Sequence, residues 1–333
     1  MSARIFTDKD VELGPLLNKT CAIIGYGAQG RAHALNLRDT GIAVLVALRP
    51  KSRSRVTARR DGFRVTTTTA AVRRADVIFL ALPDTQMGAI YSADIAPHLR
   101  AGQTLLFAHG FALHYRTIIP PENLDVVMVA PKGLGPMVRT QFVAGQGVPC
   151  VVAVQQDASG HARQVAFAYA KAIGGTRAGI IETTFREETE ADLFAEQAVL
   201  CGGMSALVQA GFETLVEAGY QPEMAYFECL HELKFIVDLM HRKGIRGMRE
   251  RISETAKWGD VLIGPRIIDE TVRTRMKKVL GEIQRGKFAK DWLREAATGK
   301  KRYQRLLDGA AERPIEQVGE RLRNRMPWLD EKT

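Results

Sequence analysis

The feature that most constrains the fold is a glycine-rich turn near the start of the chain, within the stretch TCAIIGYGAQGR. An apolar run precedes Gly25, Gly27 and Gly30, and a helix-like segment and a second apolar run, IAVLVAL, follow them. In such a unit the first glycine permits a tight turn, the second lets the backbone approach a pyrophosphate, and the third lets the helix pack on the strand. The helix N-terminus favours an anion. The pattern predicts a dinucleotide-binding α/β domain; the alternative is a glycine turn in another α/β fold.

The end of the second predicted strand indicates which dinucleotide is bound. Sites for NAD usually place an acidic residue there, on the ribose hydroxyls. The sequence ALRPKSRSR has no acid and offers cations and hydroxyls instead, from Arg49, Lys51, Ser52, Arg53 and Ser54. These groups suit a 2′-phosphate. We therefore expect NADP in preference to NAD.

Further strands are predicted at DVIFLALP, TLLFAHG and DVVMVAP, and polar residues lie at the end of each. They include Asp84, His109 and Lys132. Ligands of open α/β sheets bind outside the carboxyl ends of the strands, so three such ends at one edge indicate a site. A histidine at a strand end can also be purely structural, and that alternative stays open.

The second half of the chain changes to long helical patterns from about residue 190. Asp192 and Glu196 are four residues apart, as are Glu228 and Glu232, so each pair lies on one helix face among apolar neighbours. Like charges at this spacing repel each other unless cations offset them. Magnesium prefers carboxylate oxygen, so two bound metal ions are one explanation. Surface ion pairs with arginine or lysine are the other.

The charge of the chain suggests a competing function. The formal net charge is +10, and residues 49–74 contain nine lysines or arginines against one acid, Asp61. A basic surface of this kind can bind nucleic acid, and such binding weakens as salt rises. A phosphate pocket explains the start of the basic run, however, and nucleic-acid binding gives no reason for two acidic pairs on helices. We therefore expect no nucleic-acid partner.

The sequence also indicates the cellular compartment of the protein. No apolar run approaches the roughly 20 residues that span a bilayer, and the N-terminal stretch lacks the apolar segment of a signal peptide. The four cysteines are far apart and form no CxxC pair, so free thiols are expected rather than disulfides or a zinc site. We expect a cytoplasmic protein without a membrane partner.

Several long stretches resemble one family, the ketol-acid reductoisomerases, in the short class with a single helical domain. The stretches are IIGYGAQGRAHALNLRDTG, AHGFALHY, VAPKG, GGTRAGIIETTFREETEADLFAEQAVLCGG, VEAGYQPEMAYFECLHELKFIVDLM and GPRIID. The resemblance runs from about Ile5 to Trp328. It implies an α/β Rossmann-type N-terminal domain over residues 1–183 and an all-α, knotted C-terminal domain over residues 184–333.

The resemblance also implies an activity. Members of the family move an alkyl group within 2-acetolactate or 2-aceto-2-hydroxybutyrate and reduce the product with NADPH to a 2,3-dihydroxy acid of valine and isoleucine biosynthesis. The small anionic substrate reacts at two Mg²⁺ ions. The site is assembled in a homodimer, with the second pair of acids from the other subunit. Whether dimers assemble further is left open.

Individual roles carry over to matching positions. His109, Lys132 and Glu232 match catalytic residues, and Ser253 matches a serine that contacts the substrate carboxylate. The implied metal ligands are Asp192, Glu196, Glu228 and Glu232. The implied cofactor contacts are Gly25, Tyr26, Gly27, Ala28, Gln29, Gly30, Arg49, Ser52, Ser54, Asp84, Thr85, Gln86, Met87 and Gly135.

The chain departs from the family pattern at several positions. Leu134 and Pro136 stand where the family has proline and histidine, and Arg31 replaces a common histidine. Lys257 and Trp258, close to the substrate serine, are not the expected types. Two explanations stay open: variation in a working reductoisomerase, or a paralogous NADPH-dependent reductase of another 2-keto acid or imine. Robust turnover of acetolactate would exclude the second.

Overall fold

The computed structural model describes residues 2–330. The chain divides into two compact units between Thr189 and Glu190. The division lies within one helix, Phe185–Ala195, a few residues after the predicted domain boundary at residue 183. The first unit is an α/β structure and the second is helical, which confirms the predicted order of fold classes.

The first unit is built on a nine-stranded sheet. The strands are β1 (Ile5–Phe6), β2 (Thr20–Ile24), β3 (Ala43–Ala47), β4 (Val65–Thr66), β5 (Val77–Leu80), β6 (Thr104–Phe107), β7 (Asp125–Pro131), β8 (Cys150–Gln156) and β9 (Ile180–Glu182). Their order is β1-β9-β8-β7-β6-β5-β2-β3-β4. β2 pairs in parallel with both β3 and β5. The strand order therefore reverses at β2, where open α/β sheets bind ligands.

The five strands predicted from apolar runs, β2, β3, β5, β6 and β7, are confirmed. β7 is buried along its whole length, as expected for an uninterrupted apolar run. β8 was not predicted. It runs antiparallel to β7 and is partly exposed, although its first five residues, CVVAV, are all apolar.

Helices cover the two faces of this sheet. They are α1 (Gly14–Leu17), α2 (Ala28–Asp39), α3 (Ser54–Arg60), α4 (Thr68–Arg74), α5 (Asp84–Ile90), α6 (Phe111–His114), α7 (Gly135–Val143), α8 (Ala162–Ala172) and α9 (Phe185–Ala195), which continues into the second unit. Successive residues of β2, Ile23 and Ile24, belong to two different apolar clusters. This follows because neighbouring side chains of a strand point to opposite faces.

The second unit consists of helices. They are α10 (Gly202–Glu217), α11 (Pro222–Tyr226), α12 (Leu233–Arg249), α13 (Glu254–Ile267), α14 (Glu270–Gln284), α15 (Lys287–Ala297), α16 (Lys301–Ala311) and α17 (Pro314–Arg323). A small core joins α10, α11 and α17 through Phe212, Tyr226 and Ile315. Gly319 lets α17 approach α11, because a Cβ there would lie 2.5 Å from the Tyr226 ring.

Two helices of the second unit contain a turn of π-helix. These turns are Glu196–Leu200, between α9 and α10, and Phe227–His231, between α11 and α12. The continuous helical stretch Phe185–Glu217 has 33 residues, a most apolar window of mean hydropathy 1.4, and only 11% of that window buried. Length and composition alone would let it cross a membrane, which is weak evidence for a single helix of this kind. The exposed apolar surface itself requires an explanation.

Candidate active site

The three glycines of the turn after β2 are required for different reasons. Gly25 has φ +105°, and a Cβ there would lie 2.2 Å from the carbonyl oxygen of Ala81 on the neighbouring strand connection. At Gly30 a Cβ would lie 2.6 Å from the carbonyl oxygen of Gly25. Gly27 has no protein atom within 4 Å of such a Cβ. Packing therefore explains Gly25 and Gly30, whereas the open space at Gly27 suits the approach of a ligand.

A cavity of about 540 Å³ lies along this turn. Ten of the predicted cofactor residues line it: Gly25, Tyr26, Gly27, Ala28, Gln29, Gly30, Arg49, Ser52, Asp84 and Met87. His109 lines it as well. The carboxyl ends of β2, β3, β5 and β6 thus contribute to one cavity, at the edge where ligands of such sheets bind.

The other predicted cofactor residues do not line this cavity. Ser54 is the first residue of α3, and Thr85 and Gln86 lie in the first turn of α5. Gly135 packs on the glycine turn, because a Cβ there would lie 2.3 Å from the carbonyl carbon of Ala28. These positions remain predictions.

Thr68 also lines the cavity, although no sequence motif predicted a role for it. It begins α4, and the preceding Thr67 caps that helix by accepting a hydrogen bond from the amide of Ala70 at 3.2 Å. The signal was a run of four threonines before a helical segment, which is typical of a helix N-terminus. A threonine cap alone, however, does not distinguish a helix start from a ligand contact.

A second cleft of about 550 Å³ lies at the basic segment after β3. Its lining includes Lys51, Ser52, Arg55 and Arg59, with no acidic residue. Arg55 also donates a hydrogen bond from Nη1 to the carbonyl oxygen of Leu48 at 3.0 Å, which ties the start of α3 to the strand end. Cations and a hydroxyl on a fixed backbone suit a phosphate group.

His109 and Lys132 meet at a buried carboxylate that no sequence motif predicted, Glu188. The Lys132 Nζ donates to Glu188 Oε1 at 2.8 Å, and His109 Nδ1 lies 3.0 Å from Oε2. The amide of Gly110 donates to the same Oε2 at 3.1 Å. The Glu188 side chain is 1% exposed. One carboxylate therefore orients both predicted catalytic residues of the first unit.

The charge state of Glu188 follows from these contacts. Burial alone would raise its pKa, but the hydrogen bond and charge of His109, with those of Lys132, outweigh burial and lower the pKa below its usual value. Glu188 is therefore ionised near neutral pH. A buried carboxylate between two cationic or donor groups satisfies the rule that buried charges are paired.

The two predicted metal-ligand pairs lie at the π-helical turns. Glu196 begins the first turn and Asp192 lies one helical turn before it, whereas Glu228 lies inside the second turn and Glu232 follows it. π-helical turns occur frequently at functional sites. The side chains of Glu228 and Glu232 are exposed and form no hydrogen bond or ion pair with residues 2–330.

The donor chemistry of these pairs fits magnesium. They offer only carboxylate oxygens, which hard divalent cations prefer. Among residues 2–330, no group of three or more ligand-type side chains within 4.8 Å includes Glu196, Glu228 or Glu232. One chain alone therefore does not gather the four predicted carboxylates into one cluster.

The unusual residues near Ser253 have local explanations. Ser253 caps α13, because its Oγ accepts from the amide of Ala256 at 3.1 Å. Lys257 pairs with Glu254 at 2.5 Å on the same helix. Trp258 is 66% exposed. The positive charge of Lys257 is thus partly offset within one helical turn, although an exposed pair contributes little energy.

The two departures that follow Lys132, Leu134 and Pro136, are compatible with the backbone conformation at these positions. Leu134 has φ −63° and ψ 146°, a conformation that proline shares, so the leucine preserves the local geometry. Pro136 lies in the first turn of α7. An amide there would lack a partner within the helix, so proline removes no helical hydrogen bond.

Two family models match the sequence. Residues 15–179 match "Acetohydroxy acid isomeroreductase, NADPH-binding domain", and residues 185–328 match "Ketol-acid reductoisomerase, C-terminal domain". Among solved structures, the chain is similar to an NADH-preferring ketol-acid reductoisomerase from an uncultured archean. The identity is 45% and the TM-score 0.94, covering 96% of this chain and 98% of that chain.

More distant structures share the fold alone. A semialdehyde dehydrogenase NAD-binding protein from Cupriavidus necator is 20% identical with a TM-score of 0.61, covering 80% of this chain and 99% of that chain. A 1-pyrroline-5-carboxylate reductase from Streptococcus pyogenes is 13% identical with a TM-score of 0.51, covering 80% and 98%. The identity of the first unit as a nicotinamide-cofactor domain rests on the family model.

Proposed function

The chain belongs to the ketol-acid reductoisomerase family, and we propose that it converts 2-acetolactate and 2-aceto-2-hydroxybutyrate to 2,3-dihydroxy acids with Mg²⁺ and NADPH. The enzyme then serves valine and isoleucine biosynthesis. The observation that carries the proposal is the position of His109. This residue lines the nucleotide cavity and also contacts the Glu188 carboxylate that holds Lys132.

The residues of the chain have distinct tasks in this reaction. Glu232 accepts the proton of the substrate hydroxyl, and the electrons of that O–H bond form a new carbonyl while the alkyl group moves with its bonding electrons to the neighbouring ketone carbon. The π electrons of the former ketone move onto its oxygen, which becomes a hydroxyl when it is protonated. Lys132, held by Glu188 at 2.8 Å, presents its ammonium to the reacting oxygens. A positioned cation stabilises negative charge that develops in the transition state. Ser253 contacts the substrate carboxylate.

Asp192, Glu196, Glu228 and Glu232 would hold two Mg²⁺ ions, which supply Lewis-acid stabilisation of charge on the substrate oxygens. The residues that line the cavity beside the glycine turn would hold NADPH, which would supply hydride for reduction of the new carbonyl. The donor set, which contains only carboxylates, supports this assignment.

NADPH is proposed over NADH because the cavity contains Arg49 and Ser52 and the neighbouring cleft is basic. The similar archaeal enzyme is described as NADH-preferring, so preference varies within the family. The ratio of kcat/KM for NADPH to that for NADH decides the question. A ratio below one would contradict the proposal.

The second unit supports a homodimer with shared active sites. Its helices expose large apolar side chains, including Leu200, Leu207, Phe235, Trp258 and Ile267. Apolar surface of this extent marks an interaction site. A second copy of the chain would cover it and bring a second acidic pair to each metal site. The enzyme is proposed to be cytoplasmic, with no membrane or nucleic-acid partner.

The test follows NADPH oxidation with 2-acetolactate, with and without Mg²⁺, beside the same assay on the already isomerised 2-keto acid. Mg²⁺-dependent turnover of both substrates is expected. Reduction of the keto acid without turnover of acetolactate would contradict the proposal and indicate a reductase of other 2-keto acids or imines.

A further inference from the structure

A partly buried carboxylate outside the reaction centre joins three elements at the cofactor end of the first unit. Asp61 accepts a hydrogen bond from the Tyr26 hydroxyl at 2.8 Å and a paired hydrogen bond from Arg31, with Nε at 2.7 Å and Nη2 at 3.0 Å. Its backbone carbonyl accepts from Arg38 at 2.5 Å. The Asp61 side chain is 12% exposed. We call Asp61, Tyr26 and Arg31 the Asp61 clamp.

The clamp connects two parts of the nucleotide site. Tyr26 lies inside the glycine turn, between Gly25 and Gly27, and is 5% exposed. Asp61 directly follows α3, and the basic segment that contains Arg49 and Ser52 directly precedes this helix. The turn faces the position of a pyrophosphate, and the basic segment faces that of a 2′-phosphate. The hydrogen bond between Tyr26 and Asp61 therefore links the glycine turn to the helix that follows the basic segment.

Arg31 strengthens the clamp because its guanidinium donates two parallel hydrogen bonds to the Asp61 carboxylate, from Nε and Nη2. The hydrogen bond from Arg31 lowers the pKa of Asp61, although partial burial opposes this effect. The ring of Phe63 packs against Tyr26 at a centroid distance of 5.9 Å, which restricts the tyrosine further.

We propose that Asp61 is a positioning residue for the nicotinamide cofactor: it holds the pyrophosphate turn and the 2′-phosphate segment at one fixed separation, and so contributes to selection of NADP(H). This inference rests on the NADPH preference stated under the proposed function. It assigns a role to Asp61 and Arg31, neither of which lines the cavity.

The replacement Asp61→Asn separates positioning from simple electrostatics, because the two effects have opposite signs. Removal of a negative charge from a phosphate site would by itself tighten NADP⁺ binding. Loss of the clamp would weaken it. We expect the Kd for NADP⁺ to rise about tenfold and that for NAD⁺ about threefold, since a lost charge-assisted hydrogen bond corresponds to roughly this factor.

Isothermal titration of the full-length protein with NADP⁺ and with NAD⁺ measures both constants without any substrate or metal. An unchanged or lower Kd for NADP⁺ in Asp61→Asn overturns the proposal. Equal weakening for both nucleotides also overturns it, because the clamp would then act on the turn alone. If the protein does not turn over acetolactate, the proposed reaction is wrong, but the two Kd values still test the role of Asp61.

Two further variants separate the clamp from general stability. Glu182→Gln removes the charge from another paired contact, with Arg163 at 2.9 Å, on a strand far across the sheet order from β2. It should leave both Kd values unchanged. Tyr26→Phe removes only the hydroxyl and should weaken the binding of NADP⁺ about threefold. Combined with Asp61→Asn, the loss of NADP⁺ binding should be smaller than the sum of the two separate losses of binding free energy. If Asp61→Asn fails to fold, an unchanged NADP⁺ Kd in Tyr26→Phe overturns the proposal on its own.

Discussion

The two units present their acidic side chains in opposite ways. In the first unit, Glu188 is 1% exposed and bonded to Lys132, His109 and a backbone amide. In the second, Glu228 and Glu232 lie exposed, without a hydrogen bond or ion pair to the part of the chain that the structure describes. A carboxylate that already has partners can position other groups. Carboxylates without partners remain available for a cation or a second subunit.

The replacement Glu232→Gln tests the available carboxylates and should have the largest effect. Loss of a proposed base and metal ligand should lower kcat with acetolactate by about a thousandfold. Binding of NADP⁺ should change less than about twofold, because the nucleotide cavity belongs to the first unit. Steady-state kinetics and nucleotide titration provide the two measurements.

Asp238→Asn is the matched control for Glu232→Gln. Asp238 is also an acid of the same helical region, but it pairs with Lys234 at 2.6 Å on an exposed surface. Its replacement should leave kcat nearly unchanged. Comparable losses in both variants would mean that the helix, and not the Glu232 carboxylate, determines activity.

Glu188→Gln tests the carboxylate that already has partners, and we expect a loss of about a hundredfold in kcat. The amide cannot balance the charge of Lys132, so the ammonium would no longer be held by an opposite charge. The KM for NADPH should rise little. Retention of full activity would show that Lys132 and His109 do not depend on Glu188 for their orientation.

Acid should weaken the first unit through Glu188. Its pKa is lowered in the folded protein, so its contribution to the free energy of unfolding is present above the unfolded-state pKa of about 4.3 and is lost as pH falls through the folded value. The melting temperature of the unmodified protein should therefore fall more steeply below pH 5 than that of Glu188→Gln. Parallel curves would contradict this.

Two replacements in the glycine turn, Gly27→Ala and Gly25→Ala, should have smaller effects that differ from each other. Gly27→Ala should leave the melting temperature nearly unchanged, because a Cβ there meets no protein atom within 4 Å. The same replacement should weaken the binding of NADP⁺ about tenfold. Gly25→Ala should instead lower the melting temperature, since its Cβ would meet the Ala81 carbonyl at 2.2 Å. Thermal unfolding and titration distinguish the two, and weaker folding in Gly27→Ala would remove the ligand explanation.

The smallest effect is expected at Lys257. Because Lys257 pairs with Glu254 on its own helix, Lys257→Ala should change kcat/KM for acetolactate by less than about twofold. A larger change would show that this residue shapes the substrate site.

Local patterns predicted most of the first unit and part of its site. The strands of the central sheet follow from apolar runs, and the glycine turn locates the cavity. Glu188 was missed because its partners lie 56 and 79 residues away, so no spacing in the sequence connects them. For the antiparallel β8, the apolar run CVVAV is a signal from which the strand could have been predicted.

In the second unit, helical periodicity and the resemblance predicted helices but not their irregular turns. Whether a segment adopts α- or π-helix depends on packing that propensity does not encode. Within residues 2–330 the two acidic pairs do not form one cluster, so their meeting stays a prediction, as does the knot.

The π-helical turn at Glu196–Leu200 has a consequence for the angular phase of the long helix. Each residue advances an α-helix by about 100°, and a π-helical turn accommodates roughly one additional residue. The acidic face before the turn and the apolar face of α10 after it therefore do not have the relative direction that an uninterrupted α-helix of the same number of residues would give them. Removal of one residue from the turn would restore an ordinary α-helical turn and leave those faces nearly in their present relation, whereas removal of one residue from the α-helix on either side would rotate them against each other by about 100°. The number of residues in the helical stretch, as much as their identity, thus determines the direction in which the apolar side chains of α10 point.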